Sequence, residues 1–396
     1  DGFSTGIRKI DNNAGYALSV RGENGEGGIG NSSTVDVSVL TQVGSLNDWT
    51  QFVCGGRSML AIKPEGTLWA WGDNGNGKLG NGSTTDISSP IQIGNLSNWS
   101  QVENALNQTL AIKTDGTLWA WGKNTNGQLG QGDTTSRSSP IQVGDLTNWA
   151  KVAVGNSFWV ARKTDGTIWS CGFNTQGQLG LEDTSHRSSP VQIGLLTTWS
   201  DITAGSYSSG GIRTDGKIWT WGYNASGGLG HGNTTNISSP IQVGELTDWQ
   251  AIQMHGDAVS THATKTDGKL FAWGRNTKGQ LGLGDVANRS SPVQVGSLTT
   301  WGSTAISQGT NGPLTLLRKD DGTLWFTGDG YISNLLWPID VSSPVQVGNS
   351  TGWKGTPSHT QGMWGCPSRH TVADGTTNGY LFAAGDNSPD GALGLG

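Results

Sequence analysis

Short runs of alternating apolar and polar residues recur along the whole chain. In one such run, Leu110 and Ile112 are spaced to face one way, and Thr109 and Lys113 the other. Alternation with a period of two is typical of a β-strand with one apolar face. The helical spacing of i, i+3, i+4 and i+7 is not sustained anywhere, so the pattern predicts an all-β protein.

The runs belong to a unit of about fifty residues that is repeated through the chain. The units open on Trp49, Trp99, Trp149, Trp199, Trp249, Trp301 and Trp353. Most carry a Gly-x-Asn-x-x-Gly-x-x-Gly motif, which begins at Gly22, Gly72, Gly122, Gly172, Gly222, Gly274 and, with one inserted residue, Gly385. The repetition predicts a single domain over residues 1–396, with an N-terminal partial unit 1–48 and units opening near 49, 99, 149, 199, 249, 301 and 353.

Each unit is predicted to form four short strands. In the third unit these are 149–154, 158–166 with its turn, 167–172 and 189–194. Asp-Gly pairs separate the second and third strands, as at Asp165-Gly166. Such a pair predicts a two-residue hairpin turn in which both residues adopt positive φ.

A four-stranded sheet of this length cannot bury both faces alone, and radial stacking of such sheets gives a β-propeller. Tryptophans would fill the space between neighbouring sheets. We expect Trp69 and Trp71 to project from opposite faces of one strand. The repeated asparagine of the motif, for example Asn124, is expected to hydrogen-bond turn backbone.

The string Leu-Trp-Ala-Trp-Gly-x-Asn-x-x-Gly-Gln-Leu-Gly-x-Gly and the Ser-Pro-x-Gln-Val-Gly strand after it resemble the RCC1 repeat (regulator of chromosome condensation) over almost the whole chain. The resemblance implies an RCC1-type β-propeller, which usually has seven blades. We therefore expect seven blades of four antiparallel strands, in a ring closed by strands from both chain ends, with eight blades as the alternative. The regular units look most like those of bacterial and bacteriophage members.

Composition argues against several classes of partner and structure. The chain has 24 Lys and Arg against 30 Asp and Glu, and no basic run, which predicts no nucleic-acid partner. No run of 18 apolar residues is present, which predicts no membrane span. Because the motif is interrupted at Gly396, we expect a processed chain or a piece of a longer protein. Three cysteines are too few for a disulfide framework, and Cys171 replaces a repeated tryptophan as a small core residue.

The sequence contains no recognisable catalytic or metal-binding motif. The nearest approach to a zinc pattern is Cys366 with His370 and His359, which lacks a fourth ligand. The glycine-rich stretch Gly72–Gly80 has no Gly-Lys-Ser/Thr and no following helix, so it does not match a P-loop. We predict no catalytic, cofactor or metal site.

The late units depart from the repeat and supply the candidate partner-binding residues. These are Tyr331, Leu335, Leu336, Trp337, Met363, Trp364, Arg369 and His370. Exposed aromatic residues with arginine are typical of binding hot spots. The other interpretation is that the terminal units diverge in order to close the ring.

Together these features favour a non-enzymatic scaffold: a virion appendage, decoration or cell-surface protein that binds a protein, a neighbouring subunit or a surface glycan. The low charged fraction of 14 % favours an extracellular or virion-surface location. The RCC1 resemblance implies an alternative, a guanine-nucleotide exchange factor for a small GTPase, which would be cytoplasmic. A propeller inhibitor of a secreted enzyme is the remaining alternative.

Overall fold

The computed structural model describes residues 19–22, 24–43, 49–55, 57–254, 260–308, 314–328, 340–346, 353–354, 370–375 and 380–385. Its regular structure is β-sheet apart from one turn of 3₁₀ helix at Gly75–Gly77, which confirms the all-β prediction. No helix within these ranges has the length and apolar character needed to cross a bilayer.

Six sheets of four antiparallel strands follow one another along the chain, after the N-terminal pair β1 (Ser19–Gly22) and β2 (Val37–Gln42). We call these six sheets blades one to six. Blades one to three are β3 (Gln51–Gly55), β4 (Ser58–Ile62), β5 (Leu68–Gly72), β6 (Ile87–Gln92); β7 (Trp99–Asn104), β8 (Gln108–Lys113), β9 (Leu118–Gly122), β10 (Arg137–Gln142); and β11 (Trp149–Gly155), β12 (Phe158–Lys163), β13 (Ile168–Gly172), β14 (Arg187–Gln192). Blades four to six are β15 (Trp199–Ala204), β16 (Ser208–Arg213), β17 (Ile218–Gly222), β18 (Ile237–Gln242); β19 (Trp249–Met254), β20 (Ser260–Lys265), β21 (Leu270–Gly274), β22 (Arg289–Gln294); and β23 (Trp301–Gln308), β24 (Leu314–Lys319), β25 (Leu324–Gly328), β26 (Val341–Gln346).

The predicted count of seven complete blades in a closed ring is wrong for the described residues, which form six. The C-terminal strands β27 (Trp353–Lys354), β28 (His370–Gly375) and β29 (Tyr380–Gly385) make a three-stranded sheet, and β1 pairs only with β2. Backbone atoms of β1 lie within 8 Å of β29. The two partial sheets are therefore neighbours, but among the described residues no ladder of hydrogen bonds joins them into a seventh four-stranded blade.

The Asp-Gly hairpins use a three-residue loop and not the predicted two-residue turn. In blade two, the Gly116 amide donates to the Lys113 carbonyl at 2.9 Å, and the Lys113 amide to the Thr117 carbonyl at 3.0 Å. Gly116 has a φ of 78°, whereas Asp115 does not adopt positive φ. The Asp115 carboxylate instead accepts from the amide and hydroxyl of Thr117 at 3.0 and 2.7 Å, so aspartate stabilises the turn through its side chain.

Successive blades pack through a tryptophan face against an aliphatic face. The ring centroids of Trp69 and Trp71 lie 6.1 and 5.7 Å from that of Trp49. The prediction that they project from opposite faces is therefore wrong, because residues two apart on a strand share a face. The other face of the strand, with Leu68 and Ala70, packs in one cluster with tryptophans of blade two.

The third-strand tryptophans also hydrogen-bond the motif loop of the preceding unit. The Nε1 of Trp121 donates to the Lys78 carbonyl at 2.8 Å, and equivalent bonds are made by Trp71, Trp221 and Trp273. In blade three, Cys171 holds this position, and Trp159 on the adjacent strand donates to the Gln128 carbonyl at 2.8 Å instead. Cys171 is fully buried, as predicted, and burial raises the pKa of its thiol.

The repeated asparagine holds the motif loop in place, which confirms its predicted role. In blade two, the Asn124 Oδ1 accepts from the Leu129 amide at 2.8 Å. Its Nδ2 donates to the carbonyls of Asp133 and Thr135 at 3.0 and 3.1 Å. Each such loop therefore carries a rigid internal anchor, and its outer residues are free to differ between units.

We predict that, because of His262, the free energy of unfolding decreases as the pH is lowered below 6.5. His262 lies on β20 where Leu60 and Leu110 occur in blades one and two, and burial lowers its pKa to about 3. The unfolded chain takes up this proton near pH 6.5, so the contribution of the neutral imidazole is complete above pH 6.5 and lost as the pH falls toward 3. Between pH 6.5 and 5 the loss is about 2 kcal/mol.

The measurement is the free energy of unfolding in urea at pH 5, 6 and 7.5 for the wild type and His262→Leu. The leucine variant, which places a repeat residue at this position, should lose less stability over this range. Equal pH slopes for the two proteins would contradict the assignment.

Candidate functional site

The predicted partner-binding residues of the late units cannot be placed. Residues Tyr331, Leu335, Leu336, Trp337, Met363, Trp364 and Arg369 lie outside the described residues. His370 is the first residue of β28, and its side chain also lies outside them. The binding role of this set stays a prediction.

One end of the blades, which we call the loop face, carries both the loop between the first two strands and the long motif loop after the third. Backbone bonds join the two loops in each of blades one to four. The Phe173 amide donates to the Ser157 carbonyl and the Tyr223 amide to the Tyr207 carbonyl, both at 2.9 Å. In blades one to four this bond fixes the residue before the motif asparagine, which is Asp73, Lys123, Phe173 and Tyr223. Arg275 precedes the motif asparagine of blade five.

The loop face of blades three and four carries four residues that break the repeat, Phe173, His186, Tyr207 and Tyr223, which we call the aromatic cluster. The Phe173 ring lies 4.9 Å from the His186 ring and 6.1 Å from the Tyr207 ring, measured between centroids. Phe173, Tyr207 and Tyr223 are partly exposed, and His186 is exposed. The cluster therefore offers aromatic surface to solvent across two neighbouring blades.

Hydrogen bonds fix the orientation of two members of the cluster. The Asn156 Nδ2 donates to the Tyr207 hydroxyl at 2.8 Å. The His186 Nδ1 accepts from the Asn174 amide at 3.1 Å. Smaller acceptors make this bond in blades one and two, where Asp86 Oδ1 and Ser136 Oγ occupy the position.

The fold does not require these aromatic side chains. Asp73 and Lys123 occupy the position of Phe173 in blades one and two, and Asn107 occupies that of Tyr207 in blade two. Those blades form the same four-stranded sheets with the same loop hydrogen bonds. The cluster is thus an addition to the repeat, and a comparison of the units position by position would have revealed it in the sequence.

A second departure from the repeat lies where the first strands of the blades meet. Gln51 and Gln101 reach across to carbonyls of the next blade, the latter bonding Val152 at 3.1 Å. In blade three, Lys151 instead forms an ion pair with Asp201 of blade four. Burial lowers the pKa of Lys151 even though Asp201 opposes this shift. Because Lys151 is buried, we assign this pair to joining the blades and not to binding.

The aromatic cluster can bind a partner through apolar contacts and hydrogen bonds. It supplies three rings, two phenolic hydroxyls and one imidazole. Over the part of the chain that the structure describes, no three His, Cys, Asp or Glu side chains converge as metal ligands.

Comparisons with known proteins agree with the fold. The family profile of the RCC1-like domain matches residues 17–373. Human WBSCR16 is similar at 18% identity, covering 85% of this chain and 94% of that one, with a TM-score of 0.74. Prp20p from Saccharomyces cerevisiae, studied for its binding to Gsp1p and histones, is also 18% identical, covering 97% and 94%, with a TM-score of 0.73. At these identities the structures show a shared fold, and by the extent of the profile match the chain belongs to the RCC1-like domain family.

Proposed function

We propose that this protein is a non-enzymatic protein-binding module and that the aromatic cluster is its contact surface. The observation that carries the proposal is the contact between the Phe173 and Tyr207 rings, with the Tyr223 amide bonded to the Tyr207 carbonyl. Other blades have small or charged residues at these positions. Aromatic side chains that structure does not need, at the exposed end of a rigid scaffold, are typical of binding sites.

The energetics of the cluster suit protein recognition. A tyrosine or phenylalanine supplies a large contact area with few rotatable bonds, so ordering it on binding costs little entropy. The bond from Asn156 to the Tyr207 hydroxyl orders that ring in advance. Such preorganisation strengthens binding by lowering the cost of association.

The setting we propose is a virion appendage, decoration or cell-surface assembly, which suits a weakly charged chain with 14 % charged residues. The recorded binding of Gsp1p and histones by Prp20p supports a protein as the partner. Guanine-nucleotide exchange and inhibition of a secreted enzyme remain alternatives that no contact among the described residues favours.

We predict that the double variant Phe173→Ser/Tyr207→Asn loses partner binding without unfolding. Asparagine is the residue of blade two at the second position, whereas Phe173 also packs against the core between blades three and four. The two changes together should therefore cost about 1–2 kcal/mol, which leaves the blades folded. The probe is a random twelve-residue peptide library displayed on phage and selected on the wild type. Selected peptides should bind the double variant at least tenfold more weakly, because hot-spot rings contribute about 2 kcal/mol each.

Leu195→Ser provides the matched control. Leu195 is 91% exposed and lies in the connection between β14 and β15, at the opposite end of the blades. Its removal deletes apolar surface of similar kind and should leave peptide binding unchanged. The proposal fails if the selected peptides bind the double variant as tightly as the wild type.

A further inference from the structure

We propose that the loop face binds an extended acidic segment that carries a bulky apolar side chain. This inference rests on the proposed function, since the apolar side chain would contact the aromatic cluster. The carboxylates would pair with Lys123 on one side of the cluster and Arg275 on the other. Both cations occupy the loop position held by Phe173 and Tyr223 in the intervening blades.

Lys123 and Arg275 differ from the other cations of the loop face. The other Lys and Arg side chains described there are held in ion pairs: Arg57–Glu26, Lys78–Asp73, Arg137–Asp133, Arg187–Asp183, Lys278–Asp340 and Arg289–Asp285, at 2.5 to 3.1 Å. Within the described residues, neither Lys123 nor Arg275 forms an ion pair; Lys123 is partly exposed and Arg275 is exposed. The Arg275 Nε donates to the Thr277 hydroxyl at 3.2 Å, which leaves its charge without a carboxylate partner. Two positive charges without a carboxylate partner thus flank the aromatic cluster.

The order of these residues around the loop face is cation, aromatic, aromatic, cation over blades two to five. Packed sheets lie about 10 Å apart, so the path over the three intervals from Lys123 to Arg275 is about 30 Å along the curve of the loop face. An extended chain rises about 3.3 Å per residue. A segment of about ten residues therefore reaches both cations across the aromatic cluster.

The same side chains could stack on the bases of single-stranded nucleic acid, but the charge balance favours a peptide. Nucleic-acid grooves follow a run of phosphates with many clustered cations. The loop face offers two cations without a carboxylate partner on a chain of net charge −6, and Glu182 is exposed in the motif loop of blade three. Two carboxylates on a peptide are the number of anions that this surface can pair.

The test uses two displayed twelve-residue libraries of equal aromatic content, one built from Asp, Glu, Tyr, Trp, Ser and Gly, the other with Lys and Arg replacing the acids. Pools selected on the wild type are measured against Lys123→Ser/Arg275→Ser. The acidic pool should bind at least tenfold more tightly than the basic pool. It should lose at least tenfold in affinity both in the double variant and between 50 and 500 mM NaCl, where charge pairs are screened.

Equal binding of the acidic and basic pools, or acidic binding that does not depend on Lys123 and Arg275, overturns this inference. If both pools bind the wild type equally and fail on Phe173→Ser/Tyr207→Asn, the proposed function stands and only the acidic partner is wrong. Tighter binding of a fluorescein-labelled oligothymidine of twelve nucleotides than of the acidic pool would also overturn it, in favour of nucleic acid.

Discussion

Combining Trp159→Ser with Cys171→Trp should return the protein to nearly wild-type stability, although each change alone should be severely destabilising. Trp159 and Cys171 are directly paired across β12 and β13. Blade four has the reverse arrangement, in which Ser209 pairs with Trp221. The double variant therefore gives blade three the arrangement of its neighbour.

The two indoles occupy equivalent space from different strands. The Trp159 ring lies 6.1 Å from the opening Trp149 of its blade, and the Trp221 ring lies 6.0 Å from Trp199. Each donates its Nε1 proton to a motif-loop carbonyl, that of Gln128 or Gln178. In blade four the Ser209 hydroxyl donates to the same Gln178 carbonyl at 2.8 Å. A serine opposite the tryptophan is therefore accommodated with its hydroxyl hydrogen-bonded.

The expected losses of stability follow from the change in side-chain volume at the two positions. Trp159→Ser alone leaves a cavity the size of an indole and should cost about 3–5 kcal/mol. Cys171→Trp alone inserts a second indole into a filled site and should cost about 3 kcal/mol or more. The double variant should lie within about 1 kcal/mol of the wild type, which gives a coupling energy of several kcal/mol.

Guanidinium unfolding followed by far-ultraviolet circular dichroism measures the four proteins of this cycle. The same pair of changes in mirror image, Ser209→Trp/Trp221→Cys in blade four, is the control and should also be tolerated. Additive losses in either double variant would show that the two positions do not share one space.

Much of the fold is predictable because each blade repeats its pattern. The strands of blade three, the buried Cys171 and the anchoring role of Asn124 all follow from residue type and spacing. The blade count does not follow, because it depends on whether β1 and β29 join in a ladder, and that is decided by pairing between chain ends.

The prediction of a two-residue hairpin turn is wrong for a local reason. Asp115-Gly116 fits a two-residue turn equally well, but the Thr117 hydroxyl and amide give the Asp115 carboxylate two donors that stabilise the longer loop. For the site, the sequence pattern points to the irregular late units. Phe173 and Tyr207 lie in regular units and become neighbours only when blades three and four pack, so the irregularity of a unit does not indicate them.

Gly116→Ala should be far more destabilising than Gly144→Ala, although both glycines have positive φ. A Cβ on Gly116 would lie 2.1 Å from the Thr147 carbonyl oxygen, whereas one on Gly144 would meet nothing within 4 Å. Their φ values are 78° and 59°, so both variants carry the strain of a left-handed alanine, about 1 kcal/mol. Only Gly116→Ala adds a collision with backbone.

That collision cannot be relieved by a side-chain movement. The Trp149 amide donates to the Gly116 carbonyl at 3.0 Å, and the Thr114 amide to the Asn148 carbonyl at 2.8 Å. These bonds hold the hairpin of blade two against the connection that leads into blade three. Moving the hairpin away breaks them, so Gly116→Ala should cost about 3 kcal/mol or more in total.

Urea unfolding of the two variants and the wild type at one pH measures the difference. Gly268 has the same environment in blade five, where a Cβ would lie 2.1 Å from the Thr299 carbonyl oxygen. Gly268→Ala should therefore cause a similarly large loss of stability. Equal, small losses for Gly116→Ala and Gly144→Ala would mean that the hairpin can shift freely. The contact between hairpin and connection would then not hold neighbouring blades in register, and the fixed spacing of Lys123, Phe173, Tyr223 and Arg275 across the loop face would need another cause.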